Sequence, residues 1–196
     1  MSAKVRTGRP HPGARLVLFC ALAWALAGFG TTIRPATVEQ LTHGSSHVVE
    51  GKATGSYAAW DAGHKAIYTY TTFEVGKILK GDLTTRTVLV KQFGGRVGNT
   101  VSQRIGVRQF AAGEEAVLFL FPSPSADGTM LVTGLMQGRF SVRRSGAAAT
   151  VSNGVPQPSP ATRIYEAGTP VAREHVMSLE TLEQRVRSAV GGRERR

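Results

Sequence analysis

A single cysteine, Cys20, occurs in 196 residues, and it lies inside an apolar run near the start of the chain. Phe19 precedes it where a lipoprotein signal would carry a small residue, and the apolar run continues past it. The remainder of the chain therefore offers no disulfide, no thiol nucleophile and no thiolate metal ligand. Other sources of chemistry are scarce as well. His43 and His47 have a superficial metal-ligand spacing, but His47 begins a predicted strand, where the i,i+4 geometry of a helix fails, and there is no HExxH. Ser45 and Ser46 sit outside any GxSxG nucleophile elbow. Neither GxxxxGK[ST] nor GxGxxG is present, and Gly94-Gly95-Arg96-Val97-Gly98 lacks the strand–helix setting that a phosphate loop needs. Glu114 and Glu115 are adjacent acids at the entrance to a predicted strand, where solvated carboxylates are usual. The expectation is a protein that is not an enzyme, with no catalytic residue, no metal site and no cofactor.

Long hydrophobic runs are also missing. The longest, Leu16 to Ala27, falls short of the ~20 residues of a membrane helix. Lys4, Arg6, Arg9 and Arg15 precede it, and Ala25-Leu26-Ala27 supplies the small-x-small pattern of a cleavage site, so residues 1–30 read as a signal peptide. An exported protein is expected, periplasmic or extracellular, with no stable membrane span once the signal is removed. Acidic residues are few: 13 against 24 Lys and Arg, a formal net charge of +11. Without the four leader cations the balance is still about +7, which favours weak contact with anionic surfaces.

What is abundant is strand pattern. Thr37 and Gln40 have capping-box spacing and predict a short helix ending near Gly44. Ser46–Ala53 reads as a first strand, and Thr54–Lys65 as a polar connector with an exposed turn at Trp60-Asp61-Ala62-Gly63. From Ala66 to Lys80, Ile67, Thr69, Thr71, Phe73 and Val75 share one face, and Tyr68, Tyr70, Thr72 and Glu74 the other. The apolar phase then slips, predicting a bulge at Gly76-Lys77. Thr87–Phe93 is a further strand, Val117–Phe121 a central one covered on both faces, and Ala126–Thr129 a turn into Met130–Gly134. Arg139–Arg143 closes the series. Ser178 caps a terminal helix with Leu179, Leu182, Val186 and Val190 at helical spacing. The predicted fold is mainly β: a small antiparallel OB-like barrel with a short N-terminal helix and a C-terminal helix. The expected division is a signal peptide (1–30), the barrel (31–144), a Pro/Ser/Gly-rich linker (145–177), and the C-terminal helix with a basic tail (178–196).

The order of features is similar to that of a group of uncharacterised exported bacterial proteins. The segments that carry it are Glu39 and Leu41, His47–Ala53, Tyr70–Val75 with Ile78–Gly81, and Gly113–Leu120. Their strand layout resembles the barrel of tissue-inhibitor-of-metalloproteinases and netrin-like modules over residues 36–143. The resemblance implies a protein-binding or protease-inhibiting role. The animal inhibitors place a mature N-terminal cysteine on the protease zinc, and the expected mature start here, near Gly28 or Thr31, has none. Only the fold carries over.

One candidate binding surface emerges. OB-type barrels bind oligonucleotides and oligosaccharides through a sheet face and its loops, combining cations with aromatic platforms. Tyr68 and Tyr70 share a strand face near Lys65 and Lys77, and Arg96, Arg104 and Arg108 lie in the long connection 94–113. The simpler expectation for the tyrosines is that they cover the barrel beneath the terminal helix. The primary functional expectation is an exported interaction domain whose partner is another exported protein. The alternative is binding of a polyanion, nucleic acid or cell-envelope polymer, through the basic loop and tyrosine face. A hydrolase dependent on His47 or Glu114 is the third.

Overall fold

The computed structural model describes residues 35–104, 106–156 and 174–192. The predicted signal peptide lies outside them. Helix α1 (Val38–Gly44) begins as expected: the Thr37 hydroxyl accepts from the Gln40 N–H while the Gln40 side chain accepts from the Thr37 N–H. Among the described residues ten strands follow in chain order: β1 (His47–Trp60), β2 (Ile67–Lys80), β3 (Thr87–Phe93), β4 (Gly95–Val97), β5 (Thr100–Ser102), β6 (Glu115–Pro122), β7 (Met130–Val132), β8 (Arg139–Ser145), β9 (Ala148–Pro156) and β10 (Glu174–Ser178). Helix α2 (Leu179–Gly191) closes the described chain, its Thr181 N–H bonded to the Ser178 hydroxyl.

Strands β1, β2, β3, β7 and β6 pair in that order, and β6 returns to β1, so the sheet closes into a five-stranded OB-like barrel. The pairings are antiparallel except at one seam, where β3 meets β7 in parallel at Val90 and Met130. Closure demands strongly bent strands, and the long hairpin bends at bulges. Glu50 pairs with Lys77 but Gly51 with Val75, so Gly76 is the extra residue, at the predicted slip. Thr54 is extra on β1 in the same way, between the Ala53 and Gly55 pairings.

Alternation divides the apolar residues between two cores. Val49, Ala53, Phe73, Val75, Val88, Val90, Ala116, Leu118 and Leu120 fill the barrel. Val48, Val117 and Phe119, on the opposite faces of the same strands, pack under Leu41, Phe140, Val151, Leu182 and Val186. This second layer consists of the two helices and the strands β8, β9 and β10, which extend the sheet from β6. Among the described residues, no helix is long and apolar enough to cross a membrane.

Three expectations change. The connector expected at Thr54–Lys65 is mostly strand: β1 runs on to Trp60, paired with β2 as far as Ile67, and only the turn remains. It reads as polar because residues 54–57 of β1 are exposed, and the buried positions at this end of the hairpin, Ile67, Thr69 and Thr71, lie on β2. The linker predicted from residue 145 begins with strand β9, which pairs with β8 from Ser145↔Ala148 to Ser141↔Ser152 and buries Val151. Residues 157–173 of that stretch lie outside the described residues. The helix α2 does not cover the tyrosines. It packs on α1, β9, β10 and the far end of β2, where Lys77 bonds both carboxylate oxygens of Glu183 at 2.6 and 2.7 Å.

Candidate functional site: a ring ladder beside an arginine cleft

The outward residues of the β1–β2–β3 face form rungs. Register sets Tyr57 opposite Tyr70 and Tyr70 opposite Lys91. Two residues along, Tyr68 is opposite Phe93. Tyr57 and Tyr70 stack with ring centroids 5.0 Å apart and 14° between planes, and Tyr68 and Phe93 meet at 4.8 Å. The Lys91 ammonium lies 4.6 Å from the Tyr68 ring and 5.7 Å from that of Tyr70. Asp127, in the turn between β6 and β7, fixes it at 2.9 Å. The hydroxyl of Thr129 and then Lys91 hold the Asp127 carboxyl below its ordinary pKa. At the other end of the ladder, the Arg104 guanidinium lies 4.6 Å over the Phe93 ring.

Arg104 also belongs to a second feature. The connection 94–113 contains the small β4–β5 hairpin, and beside it lies a surface cleft of about 560 Å³. Arg96, Arg104 and Arg108 all line it, together with Val101, Gln103 and Gln109. Among the described residues, no carboxylate lines it. Among the described residues, neither Arg96 nor Arg104 is ion-paired.

The cleft is held at both ends by buried side chains. Thr69 Oγ1 donates to the Gly94 carbonyl at 2.8 Å. Gly95 has φ +141°, and a Cβ there would lie 2.6 Å from Thr69 Oγ1 and 2.9 Å from Ala58 Cβ, so only glycine lets β4 rest on the β1–β2 hairpin. On the far side, Gln92 Nε2 donates to the Arg108 carbonyl and Gln109 Nε2 to that of Phe93. Arg139 Nη1 also donates to the Arg108 carbonyl. Arg139 itself is 3% exposed, stacks 4.0 Å from Phe110 and forks onto both oxygens of Glu114 at 2.6 and 2.7 Å. Burial pushes the Glu114 pKa up, but the bonds from Arg139, the Ala111 N–H and Ser141 outweigh it, and the carboxyl is held below its ordinary value. Arg108, at 3.7 Å from Glu114 and 3.2 Å from Ser141 Oγ, keeps a side chain that is 73% exposed.

Tyr68, Tyr70, Arg96, Arg104 and Arg108 are thus distributed over two adjoining features that Arg104 joins. Lys77 belongs to neither, being bound by Glu183, and Lys65 lies in the exposed hairpin turn. Sequence reasoning missed Tyr57, because the stretch around it reads as a connector. It also missed Lys91 and Phe93, although the inward set Val88, Val90 and Gln92 puts both on the outward face of β3. Glu114 differs from its expectation as a solvated acid, being tied to a buried arginine. His47 is bonded through Nδ1 to the Ser46 hydroxyl at 2.8 Å and through Nε2 to the Asp82 carbonyl at 3.0 Å. Among the described residues, no group of three His, Cys, Asp or Glu side chains could hold a metal ion. In comparisons with known proteins, no family model and no curated protein matches the chain.

Proposed function

We propose that the protein is an exported, non-enzymatic binding module that holds a polyanion, nucleic acid or a cell-envelope polymer, in the arginine cleft. The observation that carries this reading is the charge of that cleft: among the described residues three guanidinium groups line it and no carboxylate does, and only Arg108 has an ion-pair partner, Glu114 at 3.7 Å. A concavity of one sign concentrates ligands of the other, and the planar donor fork of arginine suits phosphate and carboxylate oxygens. Anchoring of the 94–113 connection by Thr69, Gln92 and Arg139 means that little ordering entropy is lost on binding.

Of the two binding expectations, an exported protein partner has less behind it. The exposed large apolar side chains, Tyr57, Ile78, Val101, Leu135 and Val176, belong to five different segments, as ordinary surface residues do. A hydrolase would need a free acid or base, and Glu114 is engaged by Arg139 and Ser141. Export rests on the leader pattern of residues 1–30.

Titration of the full chain with a single-stranded oligonucleotide and with a polyol-phosphate wall polymer, over a series of salt concentrations, tests this reading. The logarithm of affinity is expected to fall linearly with the logarithm of salt. Replacing Arg96, Arg104 or Arg108 by Ala should lower that slope by about one each. A flat salt response, or a triple variant that binds as the parent does, sinks the proposal.

A further inference from the structure

We infer that the polyanion is one that carries flat rings, a single-stranded nucleic acid, and that a base stacks on Tyr57, the open end of the ring ladder. This rests on the polyanion reading above and adds the identity of the ligand. The cleft alone recognises charge; the ladder beside it is a surface for rings. Tyr57 ends the ladder on β1. One face of its ring lies against Tyr70 in a near-parallel stack, yet its side of the fold is open and the residue remains 56% exposed. A ring stacked on one side and solvated on the other presents a free π-face, and every base has one to match it.

The rungs are ordered in advance. Lys91 lies over both Tyr68 and Tyr70 and is held by Asp127, so those rings are packed before any ligand arrives. The two rungs are two strand residues apart, about 6.8 Å, so Tyr57 lies one rung from the Phe93 ring that Arg104 covers. Arg104 ties the second rung to the cleft, since its guanidinium covers Phe93 and lines the cavity as well. A strand lying along the face would put a base on the open face of Tyr57 and its phosphates against Arg104, Arg96 and Arg108. Polyol-phosphate wall polymers have the phosphates and no rings, and would leave the ladder unused.

The test compares a labelled oligothymidylate with an abasic phosphodiester strand of equal length and charge, each titrated into the full chain by fluorescence anisotropy. The oligothymidylate is expected to bind about tenfold more tightly or better, as stacking on an aromatic side chain allows. Tyr57→Ala should reduce oligothymidylate affinity by about fivefold or more and leave abasic binding unchanged. Tyr57→Phe keeps the ring and should keep the advantage. Tyr57 is exposed, so neither change removes a core contact. Equal binding of the two strands overturns the inference, as does an equal loss on both with Tyr57→Ala or tighter binding of a polyol-phosphate polymer. In those outcomes a salt slope carried by the arginines leaves the polyanion reading standing. Binding of no polyanion at low salt overturns both.

Discussion

Arg139 illustrates how much of this molecule rests on single long-range partners. It is buried, and its charge is answered by Glu114, by the Arg108 carbonyl and by the face of Phe110. Breaking a buried pair by removing one member costs about 3–5 kcal/mol, because the other charge is left without its partner. Arg139→Met should lower the unfolding free energy measured by urea denaturation by an amount in that range, and Glu114→Gln by a similar one. The double variant should recover more than half of the summed loss, and strict additivity in that cycle would refute the coupling. The carboxylates also set the acid limit of stability. Arg185 bonds Glu39 through both oxygens and lowers its pKa from 4.5 to about 2. Glu114 and Glu183 are lowered too, burial opposing the arginine and lysine bonds that win. These groups bind fewer protons folded than unfolded, so their contribution is complete above the ordinary carboxylate range and disappears as pH falls through the folded values. Stability is therefore expected to decline between pH 4.5 and 2, and Glu39→Gln to remove part of that decline. A stability profile flat over that window would contradict it. The long-range pairings are not legible in the sequence, where Glu39 stands 146 positions from Arg185 and Glu114 stands 25 from Arg139.

At the scale of elements, legibility follows burial. The face of β2 that carries Ile67, Phe73 and Val75 is readable because a core lies under it, and so is the bulge at Gly76, because the slip moves apolar residues across the sheet. In the distal half of β1 residues 54–57 are exposed, so Gly55-Ser56-Tyr57 carries no alternation to read, and the ring ladder built on it stays hidden. Strand β9 is obscured by its Ala and Ser composition even though Val151 is buried. The glycines of β1 make the same distinction testable. At Gly51 a Cβ would lie 2.6 Å from the Glu74 carbonyl oxygen, a backbone atom of the paired strand that cannot turn aside. Gly51→Ala is expected to cost about 1–3 kcal/mol or more through overpacking. At Gly55 the same atom meets nothing within 4 Å, and φ lies outside the left-handed region. Gly55→Ala should be neutral or stabilising by about 0.4–1 kcal/mol, since it restricts the unfolded chain. Thermal midpoints of the two variants separate the cases, and equal losses would mean that the hairpin does not close as described.

For the molecule as a whole, the question is whether two cores make two folding units. Strands β1 and β6 form a wall between them. Val48 faces the outer core and Val49 the barrel; Leu118 faces the barrel and Phe119 the outer core. The apolar run Val117–Phe121 carries this in the sequence, since a strand apolar on both faces needs cover on both. Because neighbouring residues of one strand serve opposite cores, neither can empty without displacing the wall of the other. Unfolding of the described residues should therefore be a single cooperative transition. Leu182→Ala removes a fully buried side chain from the outer core, and Leu118→Ala one from the barrel. Each should lower stability by about 2–5 kcal/mol. Both should shift one urea transition in which far-UV circular dichroism and tryptophan fluorescence still coincide. With Trp24→Phe, Trp60 is the reporter, and it lies at the end of the barrel hairpin, far along β1 from the outer core, which makes the comparison informative. If Leu182→Ala instead separated the two signals, the helix layer would be melting while the barrel stayed folded, and the wall would not couple them.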